Sequence, residues 1–253
     1  MVVDSGSTRR KDGRSANTLR PLTSSLSILS RADGSAKYTS GNTSILAAVY
    51  GPIAPRNEAR SNRDIATVSC IFPSKRTHAS SMSNQEGLEQ FVSNTLSSCI
   101  CVENYPRSMI EIVFEVLTSD GSVLSSAIQA GVLALMDAGI QMKQIPVAIT
   151  CLVDPSDQEN GDDYLMNILL DPTAEEEERE NCGTVVIVNG WNGENGNDII
   201  STYTKNFVGT RALSKHILAC MELASRASGT TVNFMRIVIK QKVEREGHTL
   251  WST

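Results

Sequence analysis

The 253-residue chain carries 23 Lys and Arg against 28 Asp and Glu, a net charge of −5, with 40% hydrophobic and 20% charged residues. That length and balance suit a chain that buries a sizeable core, and they exclude wholesale disorder. No run of about 18 apolar residues occurs, so no membrane-spanning helix is expected, and the opening residues lack the apolar stretch of a secretory leader, which points to the cell interior.

Basic residues open the chain, at Arg9, Arg10, Lys11, Arg14, Arg20 and Arg31, and residues 1–20 read as a basic arm. Leu26 to Ser30, Ser44 to Tyr50 and Ile65 to Phe72 are short, apolar or β-branched, and punctuated by Asp33-Gly34, Gly41-Asn42 and Gly51-Pro52, which predicts three strands. A second basic cluster comprises Arg56, Arg60, Arg63, Lys75 and Arg76. Leu88, Phe91, Val92, Thr95, Leu96 and Cys99 recur at helical spacing, and Pro106 closes that region. Ile110, Ile112, Phe114 and Val116 alternate with Glu111 and Glu115, as in a strand with one buried face that ends at Asp120-Gly121.

Ser122 is the expected N-cap of a helix over about 123–138, terminated by Gly139. Its small residues Ala127, Ala130, Gly131 and Ala134 predict close approach by another element. Pro146 to Val153, Tyr164 to Leu170 and Gly183 to Val188 read as strands, Asn189 to Asn197 as a turn, and Ile199 to Tyr203 as a further strand. A helix over about 207–227 follows, and the tail from Val232 to Val243 reads as a strand or extended arm within a C-terminal segment, 232–253. Strands in runs rather than strict alternation indicate an α+β domain over 21–231, with two similar halves at about 21–141 and 142–231.

The net charge hides a segregation. Asp154 to Glu180 holds eleven acids and one base, so the remainder of the chain is positive by five and suited to a polyanion. The six cysteines form no C-x-x-C pair and lie far from the three histidines, so they read as buried apolar residues and not as a metal site. P-loop, dinucleotide and serine-hydrolase signatures are missing. Aromatics at 5% argue against a free-standing module that stacks single-stranded bases.

Four segments in order carry a resemblance. They are Arg9 to Arg14 with Leu19-Arg20-Pro21, Thr43 to Pro52, Ser119 to Ser122 leading into Ala127 to Gly139, and Leu169 to Thr173 with the glutamates after it. Together they resemble the RNase PH domain family, and the segments Leu46 to Ile53 and Leu169 to Thr173 are most similar to ring subunits of the eukaryotic RNA exosome. The resemblance implies an RNase PH-like fold and a place in a six-membered ring beside related subunits. It further implies S1/KH-type cap subunits, a hydrolytic exonuclease subunit, RNA passing through the channel, and a distribution over nucleus, nucleolus and cytoplasm.

Active members of that family cleave RNA from its 3′ end with inorganic phosphate, a step that needs cations to hold the phosphate and carboxylates to bind Mg²⁺ or donate a proton. The resemblance maps the family's phosphate-binding positions onto Asn94, Val123 and Leu124, which carry no charge, and Arg107 and Lys143 are the only Lys or Arg between Thr77 and Glu178. The resemblance places Asp171 and Glu177 on the family's catalytic carboxylates, yet without a phosphate clamp they have nothing to act on, and Glu175 to Glu178 read instead as a solvated acidic helix start. The expectation is therefore a non-catalytic ring subunit with no cofactor and no metal, in which Arg56, Arg60 and Arg63 contact RNA phosphates. The alternative is an active, Mg²⁺-dependent phosphorolytic 3′–5′ exoribonuclease that uses Asp171 and Glu177.

Overall fold

The structure is a computed structural model that describes residues 10–55, 63–73, 82–154, 167–179, 182–193, 197–205 and 213–251. Its first sheet is built from β1 (Leu22–Leu26), β2 (Gly34–Ser40), β3 (Thr43–Ile53), β4 (Thr67–Ile71) and β5 (Met109–Thr118), in the order β1-β2-β3-β5-β4. All neighbours are antiparallel except β4 and β5, which are joined through α1 (Met82–Cys99). The second sheet holds β6 (Ile145–Asp154), β7 (Asn167–Leu170), β8 (Gly183–Trp191) and β9 (Asn197–Lys205), antiparallel throughout, in the order β7-β6-β8-β9. Between β7 and β8 lies the one-turn helix α3 (Ala174–Glu177).

The central helix α2 (Val123–Asp137) packs on β2 and β3 of the first sheet and on β6 of the second. Contact on both sides leaves it no solvent face, and every residue from Ser125 to Leu135 is buried. This explains a helix of small residues that is apolar all round. A Cβ on Gly131 would stand 2.9 Å from the Phe114 ring, and one on Gly34 only 2.4 Å from the Ala134 carbonyl oxygen. The close approach predicted for this helix is thus made by the backbone of β2.

Four elements differ from the sequence expectation. The segment from Leu26 to Ser30 only begins as strand, because β1 lies earlier, and β2 was not anticipated at all. Its sequence, Gly-Ser-Ala-Lys-Tyr-Thr-Ser, is small and polar, yet α2 covers one face and β1 and β3 pair with its edges. The Gly/Asn segment expected as a turn is strand at both ends: Asn189, Gly190 and Trp191 pair with Val147, Pro146 and Ile145, and β9 begins at Asn197, with 194–196 outside the described residues. The strand expected from Tyr164 is described only from Asn167, and the start expected for the last helix lies outside the described residues.

The fourth difference is the largest. Val232 to Val243, expected as a strand or arm, is the second half of α4 (Leu213–Trp251), an unbroken helix of 39 residues and about 58 Å. Its β-branched Thr230, Thr231 and Val232 favour extended chain locally, but tertiary contacts decide. Val232 and Met235 are buried, Phe234 meets Tyr38 edge-on at 6.2 Å, and the Lys242 ammonium donates to Asp137 at 2.5 Å. Asp137 also accepts from the Ser35 amide and the Ser27 hydroxyl, each at 2.8 Å. Burial pushes its carboxyl up, but Lys242 and these donors more than offset that and hold it below its ordinary value.

The two glycine environments give opposite expectations. Gly34→Ala drives a methyl into backbone and is expected to cost about 1–3 kcal/mol. Gly87→Ala, on an exposed stretch of α1 where a Cβ meets nothing within 4 Å, is expected to gain about 0.5–1 kcal/mol. Urea unfolding of both variants measures the contrast.

Candidate functional site at the start of the central helix

The turn Asp120-Gly121-Ser122 delivers the chain from β5 into α2. Gly121 has φ +76°, and a Cβ there would sit 2.4 Å from the Pro172 carbonyl oxygen, so the turn lies directly against the segment after β7. That segment begins with Asp171, itself at φ +49° and 6% exposed. The two stretches expected to carry the family's chemistry are therefore in contact.

Asp171 is held by a guanidinium. Arg20 donates from Nη2 to Oδ1 at 2.6 Å and from Nε to Oδ2 at 3.0 Å, while its backbone amide reaches Oδ2 at 3.1 Å. The Ser40 hydroxyl adds a fourth bond to the carboxylate, donating to Oδ2 at 3.0 Å. Arg20 spends its other N–H groups on the carbonyls of Asp120, at 2.6 Å, and Gly121, at 3.4 Å, and on the Thr43 hydroxyl oxygen, at 3.4 Å. Gly41 makes room for its stem, since a Cβ there would stand 2.5 Å from Arg20 Cδ. Burial alone pushes the Asp171 carboxyl up, but the bonds and charge of Arg20 win and hold it below its ordinary value. A carboxylate so stabilised is a poor proton donor.

A second buried pair lies alongside. Arg10 donates from Nε to Glu176 Oε1 at 2.9 Å and from Nη2 to Oε2, and reaches the carbonyls of Leu170 and Asp171 at 2.7 and 3.1 Å. Glu176 Oε2 also accepts the Thr173 amide at 2.9 Å, which fixes the start of α3. Arg14 adds a bond to the Asp171 carbonyl at 3.2 Å. The expected basic arm is therefore no free arm over its described part: Arg10 and Arg20 are 6% and 5% exposed and bound to the acidic segment. The expectation of a solvated run fails too, since Glu175 and Glu178 are exposed whereas Glu176 is buried and Glu177 half-buried.

Glu177 points the other way. Its Oε1 accepts the backbone N–H of Ser122 at 2.7 Å, at the N-terminal end of α2. Ser122 precedes the helix as expected but does not cap it: at φ +49° its hydroxyl donates to the Pro172 carbonyl at 3.1 Å. The negative charge facing the helix start is thus the Glu177 carboxylate, a favourable partner for the helix dipole. Burial nevertheless pushes its carboxyl above the ordinary value, against the pull of the Ser122 N–H and the charges of Lys205 and Arg20.

The remaining candidates fall elsewhere. Asn94 is exposed on α1, where it accepts from Gln90 at 3.0 Å, and Val123 and Leu124 are half-buried against the core. Lys143 pairs with Glu103 at 2.8 Å, and Arg107 is exposed at the turn into β5. Arg63 is exposed just before β4, while Arg56 and Arg60 lie outside the described residues. Of the two carboxylates that the resemblance assigns to Mg²⁺, Asp171 faces four donors and so does not fit a metal ligand, while Glu177 accepts the Ser122 N–H through Oε1. Sequence reasoning missed Arg10, Arg20, Ser40 and Glu176 as parts of the site. The basic cluster at the start of the sequence and the acidic one at Asp154 to Glu180 were the available signal.

Comparison with known proteins agrees with this architecture. The model described as "3' exoribonuclease family, domain 1" of RNase PH matches residues 18–141, from the Arg20 segment through α2. The chain belongs to the RNase PH family. It is 38% identical over 172 residues to the Arabidopsis thaliana protein named exosome complex exonuclease RRP46 homolog, covering 67% of this chain and 66% of that one. It is 36% identical over 149 residues to the human exosome complex component RRP41, covering 55% and 60%. The matches thus span roughly three fifths to two thirds of these relatives. A rice RRP46 homolog is 28% identical over 92% of this chain and 96% of its own. Among solved structures, rice Rrp46 superposes with a TM-score of 0.77 at 27% identity, over 91% of this chain and all of the other. The Archaeoglobus fulgidus exosome with RNA in its active site shares the fold, with a TM-score of 0.68 at 16% identity over 89% and 92%.

Two expectations follow from the carboxylates of this RNase PH domain. Arg20→Met strands Asp171 in the interior and is expected to cost about 3–5 kcal/mol in chemical unfolding. The two pH dependences have opposite signs. The depressed folded pKa of Asp171 gives stability that is present above its unfolded value, about 3.9, and lost as pH falls through the folded one. The raised pKa of Glu177 makes its ionised form costly, so Glu177→Gln is expected to be more stable than the parent at pH 7, the gain vanishing below about pH 4.3. Melting temperatures from pH 3 to 8 check both.

Proposed function

We propose that this chain is a non-catalytic ring subunit of an RNA exosome core. It pairs with related RNase PH-type subunits to close a six-membered ring, beneath S1/KH-type cap subunits, and RNA passes through the channel to a hydrolytic exonuclease. The named relatives support the exosome assignment. The observation that carries the non-catalytic reading is the fate of the two family carboxylates: Asp171 is neutralised by Arg20, and Glu177 occupies the helix start where an attacking phosphate needs its donors. Removing even one preorganised donor typically costs 10²–10³ in rate, about 3–4 kcal/mol. The role fits a protein at work in the nucleus, nucleolus and cytoplasm, wherever RNA 3′ ends are trimmed.

Exposed Arg63, with Arg56 and Arg60 before it in the chain, supplies charge for sequence-independent phosphate contacts. Arg60→Glu with Arg63→Glu is expected to slow channel-dependent decay by the assembled complex and to reduce its salt sensitivity.

The deciding experiment is digestion of a short single-stranded RNA with and without inorganic phosphate, first by the chain alone and then by its copurified complex. No nucleoside diphosphate from the chain alone is the expected result. Phosphate-dependent release by the chain alone, abolished in the stable Glu177→Gln variant, would establish the phosphorolytic alternative instead.

A further inference from the structure

Each sheet has two edges, and the four edge strands differ in length. β1 and β4 have five residues and β7 has four, whereas β9 has nine. Nothing among the described residues pairs with the outer side of β9. An edge strand offers its row of backbone N–H and C=O groups to a further strand, and proteins blunt it by shortness, proline or charge. From Ile199 to Thr204 the strand carries neither proline nor charge, and Ile199, Thr202 and Thr204 are exposed. Its charges stand toward the two ends, at Asp198 and Lys205, both exposed.

The faces of β9 follow from its pairing with β8. Opposite Val188 and Asn189 lie Ser201 and Ile199, so Ile200 is a one-residue bulge. The Ser201 hydroxyl meets that of Thr95 at 2.9 Å, and the Tyr203 ring lies 5.3 Å from that of Phe91, which turns one face toward α1. Alternation on either side of the bulge puts Asp198 and Lys205 on that face too, and Ile199, Thr202 and Thr204 on the other. A second β9 can be laid antiparallel about a two-fold axis at Thr202, with both bulge residues left unpaired. Asp198 of each strand then stands opposite Lys205 of the other. Ser201 meets Tyr203, Ile199 meets Thr204 and Thr202 meets its own counterpart, each pair on one face. An isologous interface requires such self-complementarity, and opposite charges across the strands favour it.

The geometry points to β9 as the docking edge for a second copy of this chain, joined strand to strand so that two four-stranded sheets become one continuous sheet. This pair is a form of the free chain and goes beyond the ring role.

The test is sedimentation velocity on the full chain. The parent is expected to sediment as two copies. Asp198→Lys and Lys205→Asp are each expected to sediment as one, because like charges then face each other at both ends. Mixing these two variants makes both ends complementary again and is expected to restore the pair. Thr202→Cys gives a second reading that does not depend on charge. Mild oxidation with diamide is expected to cross-link two copies of this variant and none of the parent. A parent that stays a single copy, single variants that pair as well as the parent, or a Thr202→Cys chain that does not cross-link would overturn the docking edge. So would a parent that is single by itself and assembles only with related subunits, an outcome that leaves the ring role to the RNA digestion.

Discussion

The buried ion pair between Arg20 and Asp171 is the contact on which the arrangement of this molecule turns. It joins the start of the described chain to the end of β7 and, through the carbonyls of Asp120 and Gly121, to the turn that launches α2. Two charges taken out of water are stabilising only if every donor and lone pair is met. Here two side-chain hydroxyls, of Ser40 and Thr43, two carbonyls and a backbone amide complete the set. The Arg10–Glu176 pair repeats the device one turn further on. Positive and negative stretches that lie about 160 residues apart in the chain thereby fold onto each other.

That arrangement also bears on chemistry. A carboxylate that anchors a guanidinium cannot at the same time coordinate a metal openly or deliver a proton near neutrality, because its charge and lone pairs are already engaged. Glu177 is the complementary case. It faces a helix start, a setting that favours an anion, and burial makes its charge expensive. One member of the family's carboxylate pair has become part of the framework, and the other supplies the negative charge at the helix.

The second structural theme is the sharing of one helix by two sheets. α2 has no solvent face, so its composition answers to neighbours on both sides. Gly34 and Gly131 mark where strand backbone and an aromatic ring come too close for any side chain. α4 then closes the body over β6 and β8, and its far end is pinned by Lys242 on Asp137, at the C-terminal end of α2.

Patterns confined to a few neighbouring residues were legible from the sequence. Alternation in β5, the helical spacing of Leu88 to Cys99, the small-residue signature of α2, the four ordered motifs and the family they indicate all follow from period, turn chemistry and residue size. Elements whose character depends on distant partners were not legible. β2 is polar by composition and becomes an inner strand only because α2 and two strands surround it, and the β-branched tail is helical because Tyr38, the core and Asp137 hold it so. The same division runs through the candidate site. The uncharged Asn94, Val123 and Leu124 can be read directly, since a side chain that carries no charge carries none in any fold. Whether Asp171 and Glu177 are free could be decided only in three dimensions, because burial and pairing set a carboxylate's protonation and reach, and both depend on arginines and amides far away in the chain.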